Sequence, residues 1–238
     1  MAEDDRLPAK SSSRDIQAFV EKARQLPAKR SPGAGGRLIF ALDATASRQP
    51  TWDRACAIQG DMFHATDDLG GLEVQLCFYR GFGEFSASPW YRSSDEVVRR
   101  MTSVFCLGGL TQIGKVLRHT LKEARRSKVN ALVFVGDCVE ENPDHLAHLA
   151  GQLGILGVPA FIFHEGNDAN AARVFRQIAH LTRGAACPFD HGSADQLRDL
   201  LSAVAVYASG GRRALERFSE GKHSAVKQLT RQLASDRS

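Results

Sequence analysis

Two short apolar runs constrain this chain more than any other feature: Arg37–Asp43, RLIFALD, and Val129–Asp137, VNALVFVGD. Each is nearly continuous in its apolar character, too short for an ordinary helix, and closed by an aspartate. Continuous hydrophobicity, as opposed to alternation, marks a strand covered on both faces, as in a parallel sheet. Pro159–Glu165, PAFIFHE, reads the same way. Around these runs lie segments whose apolar residues recur at helical spacing: Thr51 to about Asp68, Asp95–Phe105, Thr111–Arg126, Pro143–Leu156, Asp168–Leu181 and Ser193–Ala208. LEVQLCFYR, Leu72–Arg80, meets a turn at Gly81-Phe82-Gly83 and a return strand at Glu84–Ala87, a hairpin. Ala185–Phe189 is a last short strand. Strands alternating with helices imply an α/β fold, a mostly parallel sheet with helices on both faces. Ligands on such sheets bind beyond the carboxyl ends of the strands. Asp43 and Asp137 should both arrive on that edge.

The ends of the chain read differently. Residues 1–12 are polar, Ile16, Phe19, Val20 and Ala23 form one apolar helical face, and Ser31-Pro32-Gly33-Ala34-Gly35-Gly36 reads as a linker. Residues 1–36 carry seven basic and five acidic side chains, +2; residues 37–208 carry 17 and 19, −2; residues 209–238 carry seven and three, +4. The expected division is an N-terminal extension over 1–36, an α/β domain over 37–208 and a basic tail over 209–238. The net charge of +4 thus belongs to the ends, opposite to a domain built to bind nucleic acid. No apolar run approaches the length of a membrane span, and the N-terminus has no apolar leader core. Five cysteines without C-x-x-C spacing, Cys56, Cys77, Cys106, Cys138 and Cys187, suit a reducing compartment. The expectation is a cytoplasmic protein without a membrane or nucleic-acid partner.

Gly109-Leu110-Thr111-Gln112-Ile113-Gly114-Lys115 resembles the start of a phosphate-binding loop. That loop needs a hydroxyl after its lysine to ligate Mg²⁺, and here Val116 falls on the apolar stripe of the helix. A P-loop-like nucleotide site is therefore a minor reading. Asp43-Ala44-Thr45-Ala46-Ser47 offers another chemistry: a strand-end carboxylate followed by hydroxyls at i+2 and i+4. Hydroxyls and carboxylates are the oxygen donors a hard divalent cation takes. Thr111 adds a hydroxyl at another loop-to-helix junction, and Asp137 a second strand-end carboxylate. His64, His145, His148 and His164 have no spacing that completes a zinc set. Cys138 stands beside Asp137, but no base that would activate its thiol is evident.

The set Asp43, Thr45, Ser47, Thr111 and Asp137, in that order along strand, helix, hairpin, helices, strand, helix, strand, helix, strand and helix, resembles the von Willebrand factor A (VWA) domain family over about residues 37–208. It matches that family's metal-ion-dependent adhesion site, with Thr45 where a serine is usual and Cys138 where a glycine often follows the last aspartate. The resemblance implies a doubly wound six-stranded sheet of order 3-2-1-4-5-6, its hairpin strand antiparallel at one edge. It implies an intracellular, prokaryotic-type member that binds Mg²⁺, or Mn²⁺ or Ca²⁺ in its place, through those five residues. The implied function is non-enzymatic: the ion captures an Asp or Glu of a partner protein, in some relatives an ATPase or chaperone-like machine. A Mg²⁺-dependent phosphohydrolase of the haloacid dehalogenase type is the alternative. It needs a second aspartate two residues after the first, and this chain has Thr45 there.

Overall fold

The computed structural model describes residues 36–52, 56, 72–189, 204 and 208. The expected N-terminal helix, most of the helices over 51–68 and 193–208, and the basic tail lie outside them. Six strands form one sheet: β1 Gly36–Asp43, β2 Leu72–Arg80, β3 Glu84–Tyr91, β4 Ala131–Gly136, β5 Ala160–Glu165 and β6 Ala185–Phe189. Their order is β3-β2-β1-β4-β5-β6, every pairing parallel except the β2–β3 hairpin. This is the expected doubly wound topology. Among the described residues, four complete α-helices accompany the sheet: α1 Ser94–Thr102, α2 Ile113–Arg126, α3 Pro143–Ile155 and α4 Ala169–Leu181.

The apolar runs become strands because both of their faces are covered. Successive side chains of a strand point to opposite sides. Leu38, Phe40 and Leu42 pack with Val97 and Met101 of α1, with Trp52 and Cys56, and with Val204 and Ala208. Ile39 and Ala41 face the other way, onto Val116 and Leu117 of α2, Leu146 and Leu153 of α3, and Val174 and Phe175 of α4. A core residue cut to alanine on either face removes about 3–5 kcal/mol when it is a phenylalanine, so the two layers jointly hold the central strands in register.

The structure moves three boundaries. The expected helix over Asp95–Phe105 ends at Thr102. There Thr102 and Ser103 turn their hydroxyls back onto the carbonyls of Val98, Arg99 and Arg100, a local bond that competes with continued helix. Val104–Leu107 leaves the helix, and Leu107 forms a single parallel bridge with Thr45. Strand β3 continues past Ala87 to Tyr91 through Pro89, which an edge strand tolerates because its outer side needs no donor. Helix α2 begins at Ile113, two residues after Thr111, with Gln112 at its N-cap.

Candidate metal centre

Asp43 closes β1, and the register Leu42↔Val135 sets it beside Gly136, the residue before Asp137. The two aspartates therefore stand at adjacent strand ends on the same edge. Asp43 is fully buried. Its Oδ1 accepts the Thr45 amide at 2.8 Å and its Oδ2 accepts the Tyr79 hydroxyl at 2.8 Å. Tyr79 is its register partner in β2, so side-chain alternation puts both on one face of the sheet. Thr45 Oγ1 lies 3.0 Å from Ser47 Oγ. The first three expected site residues thus form one tight loop.

Thr111 is placed differently. Its amide donates to Glu140 Oε2 at 2.8 Å, and its hydroxyl accepts the Glu140 amide at 3.0 Å. This reciprocal pair ties the glycine loop to the segment after β4, three residues past Asp137. Both of these bonds go to Glu140, and neither reaches Asp43 or Asp137. Thr111 is not the helix cap that its residue type suggests: Glu141 takes that part, accepting the amides of Ile113 and Gly114. Those amides are where a bound phosphate would sit. Lys115 in turn donates to Gly83 O at 2.7 Å and Gln112 Oε1 at 2.8 Å. The phosphate-loop reading fails on both counts.

Cys138 joins the centre. One ligand atom each from Asp43, Asp137 and Cys138 lies within 4.8 Å of the others. Burial raises the Asp43 carboxyl above its ordinary value, against the bonds from Thr45 and Tyr79, and Asp137 adds to the rise. Burial likewise pushes the Cys138 thiol up to about 12, helped by the charges of Asp137, Asp43 and Glu140. Without a cation the thiol therefore holds its proton more firmly than a free cysteine, the opposite of an activated nucleophile. Asp137 Oδ1 is buried and receives no hydrogen bond. A buried acceptor without a donor is costly, and a cation is the partner that such an atom suits. Anionic oxygens, a thiol and neighbouring hydroxyls around an orphaned carboxylate oxygen are a fitting donor set for a divalent ion.

Of the histidines considered, His64 lies outside the described residues and the other three are otherwise engaged. His145 meets Arg118, His148 meets Gln152, and His164 lies 3.2 Å from the Asp137 carbonyl. No local pattern points to Tyr79, Glu140 or Glu141, because each acts through a contact across 28 or more residues. Around the centre an apolar rim faces solvent. Phe82 is 87% and Phe105 59% exposed, with Leu107 and Leu110 beside them in the loops that meet Gly81. The Arg80 guanidinium lies 4.0 Å over the Phe105 ring.

The raised Asp43 carboxyl sets a test of whether this centre is kept for stability. Such a group holds its proton in the fold at pH values where the unfolded chain has released it. Its contribution is therefore present at low pH and is lost as pH rises through the folded pKa. Above the folded pKa a buried charge beside Asp137 remains. Asp43→Asn keeps an acceptor for the Thr45 amide and removes that charge. In chelator at pH 7 this variant should be more stable than the parent by about 0.5–2 kcal/mol, the usual gain when a strained functional site is relaxed. Thermal melts from pH 3 to 8 check it; a less stable variant throughout would mark Asp43 as structural.

No family model and no curated protein matches the chain. Solved structures do. The von Willebrand factor type A structure from Catenulispora acidiphila superposes with a TM-score of 0.59 at 17% identity, covering 72% of this chain and 43% of that one. An aerotolerance-related membrane protein from Bacteroides fragilis gives 0.54 at 14%, covering 70% and 98%. The SpRpn10 VWA domain gives 0.53 at 14%, covering 71% and 94%. At these identities the likeness is one of fold. No helix among the described residues is long and apolar enough to cross a membrane. The chain thus has a distantly VWA-like fold that gathers two aspartates and a cysteine into a cluster able to coordinate a metal.

Proposed function

We propose that this protein is a non-enzymatic binding module whose divalent ion, held at the ends of β1 and β4, captures a carboxylate of a partner protein. The observation that carries the reading is the orphaned Asp137 Oδ1 within reach of buried Asp43. Thr45, Ser47 and Thr111 belong to the same proposal as neutral oxygen donors, and Mg²⁺, Mn²⁺ or Ca²⁺ as the ions that oxygen donors suit. Thr111 would have to turn its hydroxyl from the Glu140 amide or share it. Neutral hydroxyls leave the ion electrophilic, so an incoming Asp or Glu completes its shell. The exposed Phe82, Phe105, Leu107 and Leu110 give the apolar contact that a protein interface needs around such a bond. An ATPase or chaperone-like machine as partner, a cytoplasmic setting and a separable domain over 37–208 are parts of this reading. The phosphohydrolase alternative gains nothing, since Thr45 is bonded to Ser47 where a catalytic acid would stand.

Metal and partner should promote each other's binding by reciprocal linkage. Immobilised full-length protein in Mg²⁺ or Mn²⁺ should retain a protein from cell extract that chelator releases and that Asp137→Asn fails to hold. A retained set indifferent to both chelator and Asp137→Asn would overturn the proposal.

A further inference from the structure

We infer that Cys138 is a third ligand of this centre and that its sulfur turns the site toward thiophilic divalent ions of the zinc class, in preference to Mg²⁺. The inference rests on the reading that Asp43 and Asp137 hold a divalent ion; it keeps the site and changes the ion.

Three observations carry it. The ligand atoms of Asp43, Asp137 and Cys138 already converge to within 4.8 Å. Ligands about 2.0–2.3 Å from one tetrahedral ion lie roughly 3.3–3.8 Å from each other, so side-chain rotations that draw the atoms in by up to about 1–1.5 Å close the set. Second, Asp137 Oδ1 is buried with no donor, which leaves an acceptor for an ion at the heart of the cluster. Third, Cys138 is half-buried and belongs to neither apolar layer of the core, unlike Cys56, Cys77 and Cys187. Packing does not account for a cysteine at this position.

The donor chemistry then selects the ion. Thiolate ligands favour zinc and its neighbours, whereas Mg²⁺ demands six oxygens in near-octahedral array and sheds its waters reluctantly. Two carboxylates and a thiolate make three protein ligands, the number that leaves a fourth, open position on a tetrahedral zinc. That open position is where the partner carboxylate would enter. As the sulfur–metal bond forms, the thiol proton passes to solvent and no electrons are transferred. The His164 ring against the Asp137 carbonyl steadies the backbone that presents both ligands.

The test uses full-length protein and the metals alone. Zn²⁺, Mn²⁺ and Mg²⁺ are titrated calorimetrically, and Co²⁺ is followed by absorption, with the parent, Cys138→Ser and Asp43→Asn. The parent should bind Zn²⁺ at least about tenfold more tightly than Mg²⁺, and Cys138→Ser should lose about 10–100-fold in Zn²⁺ affinity. The same variant should lose less in Mn²⁺ than in Zn²⁺ affinity, so that its preference for Zn²⁺ over Mn²⁺ falls. Co²⁺ should give a thiolate charge-transfer band in the parent that is missing in Cys138→Ser. Unchanged Zn²⁺ affinity in Cys138→Ser, or no thiolate band, together with Mn²⁺ binding abolished by Asp43→Asn, would overturn this inference and leave the carboxylate site standing. No binding of any ion to the parent would overturn both.

Discussion

Gly109→Ala should destabilise the fold by about 3 kcal/mol or more, at the upper end of single substitutions, and should abolish metal-dependent capture with it. A Cβ at Gly109 would lie 2.0 Å from the carbonyl oxygen of Gly81 and 2.1 Å from its carbonyl carbon. The obstacle is backbone, so no rotamer change relieves it. Gly81 itself has a φ of +59°, a left-handed turn that L side chains enter reluctantly. It is also pinned on both sides, its amide to Leu107 O and its carbonyl to the amides of Leu110 and Gln112 Nε2. The glycine loop would have to lift away, and Thr111 and the start of α2 with it. Gly108→Ala is the matched control: nothing lies within 4 Å of its Cβ, and its effect should stay within about 1 kcal/mol. Denaturant unfolding of the pair checks the difference; equal midpoints would show that the loop does not dock as described.

Glu165→Gln should be the other costly change, about 3–5 kcal/mol, because it takes away the charge of a buried ion-pair partner. Arg48 follows the Asp43 loop in a 3₁₀ turn, Ala46–Thr51, and its Nε meets Glu165 Oε2 at 2.9 Å. The two side chains are 1% and 9% exposed. Glu165 ends β5, so the pair reaches over the end of β4, clamping the metal loop onto the sheet. Replacing both partners by apolar residues of similar volume, Arg48→Met with Glu165→Leu, should cost far less than either single change. Chemical denaturation of the three variants tests this, and a Glu165→Gln cost under about 1 kcal/mol, the range of exposed pairs, would show the clamp to be idle.

What the sequence revealed and what it hid follow from the range of the forces involved. Strands β1, β4 and β5 were legible because burial on two faces writes continuous apolar runs into the chain itself, and β2 through the glycine turn that follows it. Strand order came from the family resemblance, and the aspartates at strand ends from the parallel arrangement. The end of α1 was not legible, since Val97 and Val98 continue smoothly in pattern toward Val104 and Phe105, while the stop is made by hydroxyl-to-carbonyl bonds. The start of α2 was not legible either, because Glu141, 28 residues away from Ile113, is what reaches the free amides. Cys138 was noticed but weighed as a nucleophile; the structure sets it among anions, where a thiol is a ligand in waiting and a poor nucleophile.

The amide of Ala44 donates to Tyr79 O at 3.0 Å, that of Leu107 to Ala44 O at 3.0 Å, that of Gly81 to Leu107 O at 3.4 Å and that of Leu110 to Gly81 O at 3.2 Å. Each loop thus lends its carbonyl to the proton of the next. Loops linked in this way should open in hydrogen exchange as one cooperative unit. A partner that settles on the rim should then slow the exchange of a proton at Ala44 that it never touches, and an Ala44 amide indifferent to it would show the loops to open apart from the strand end.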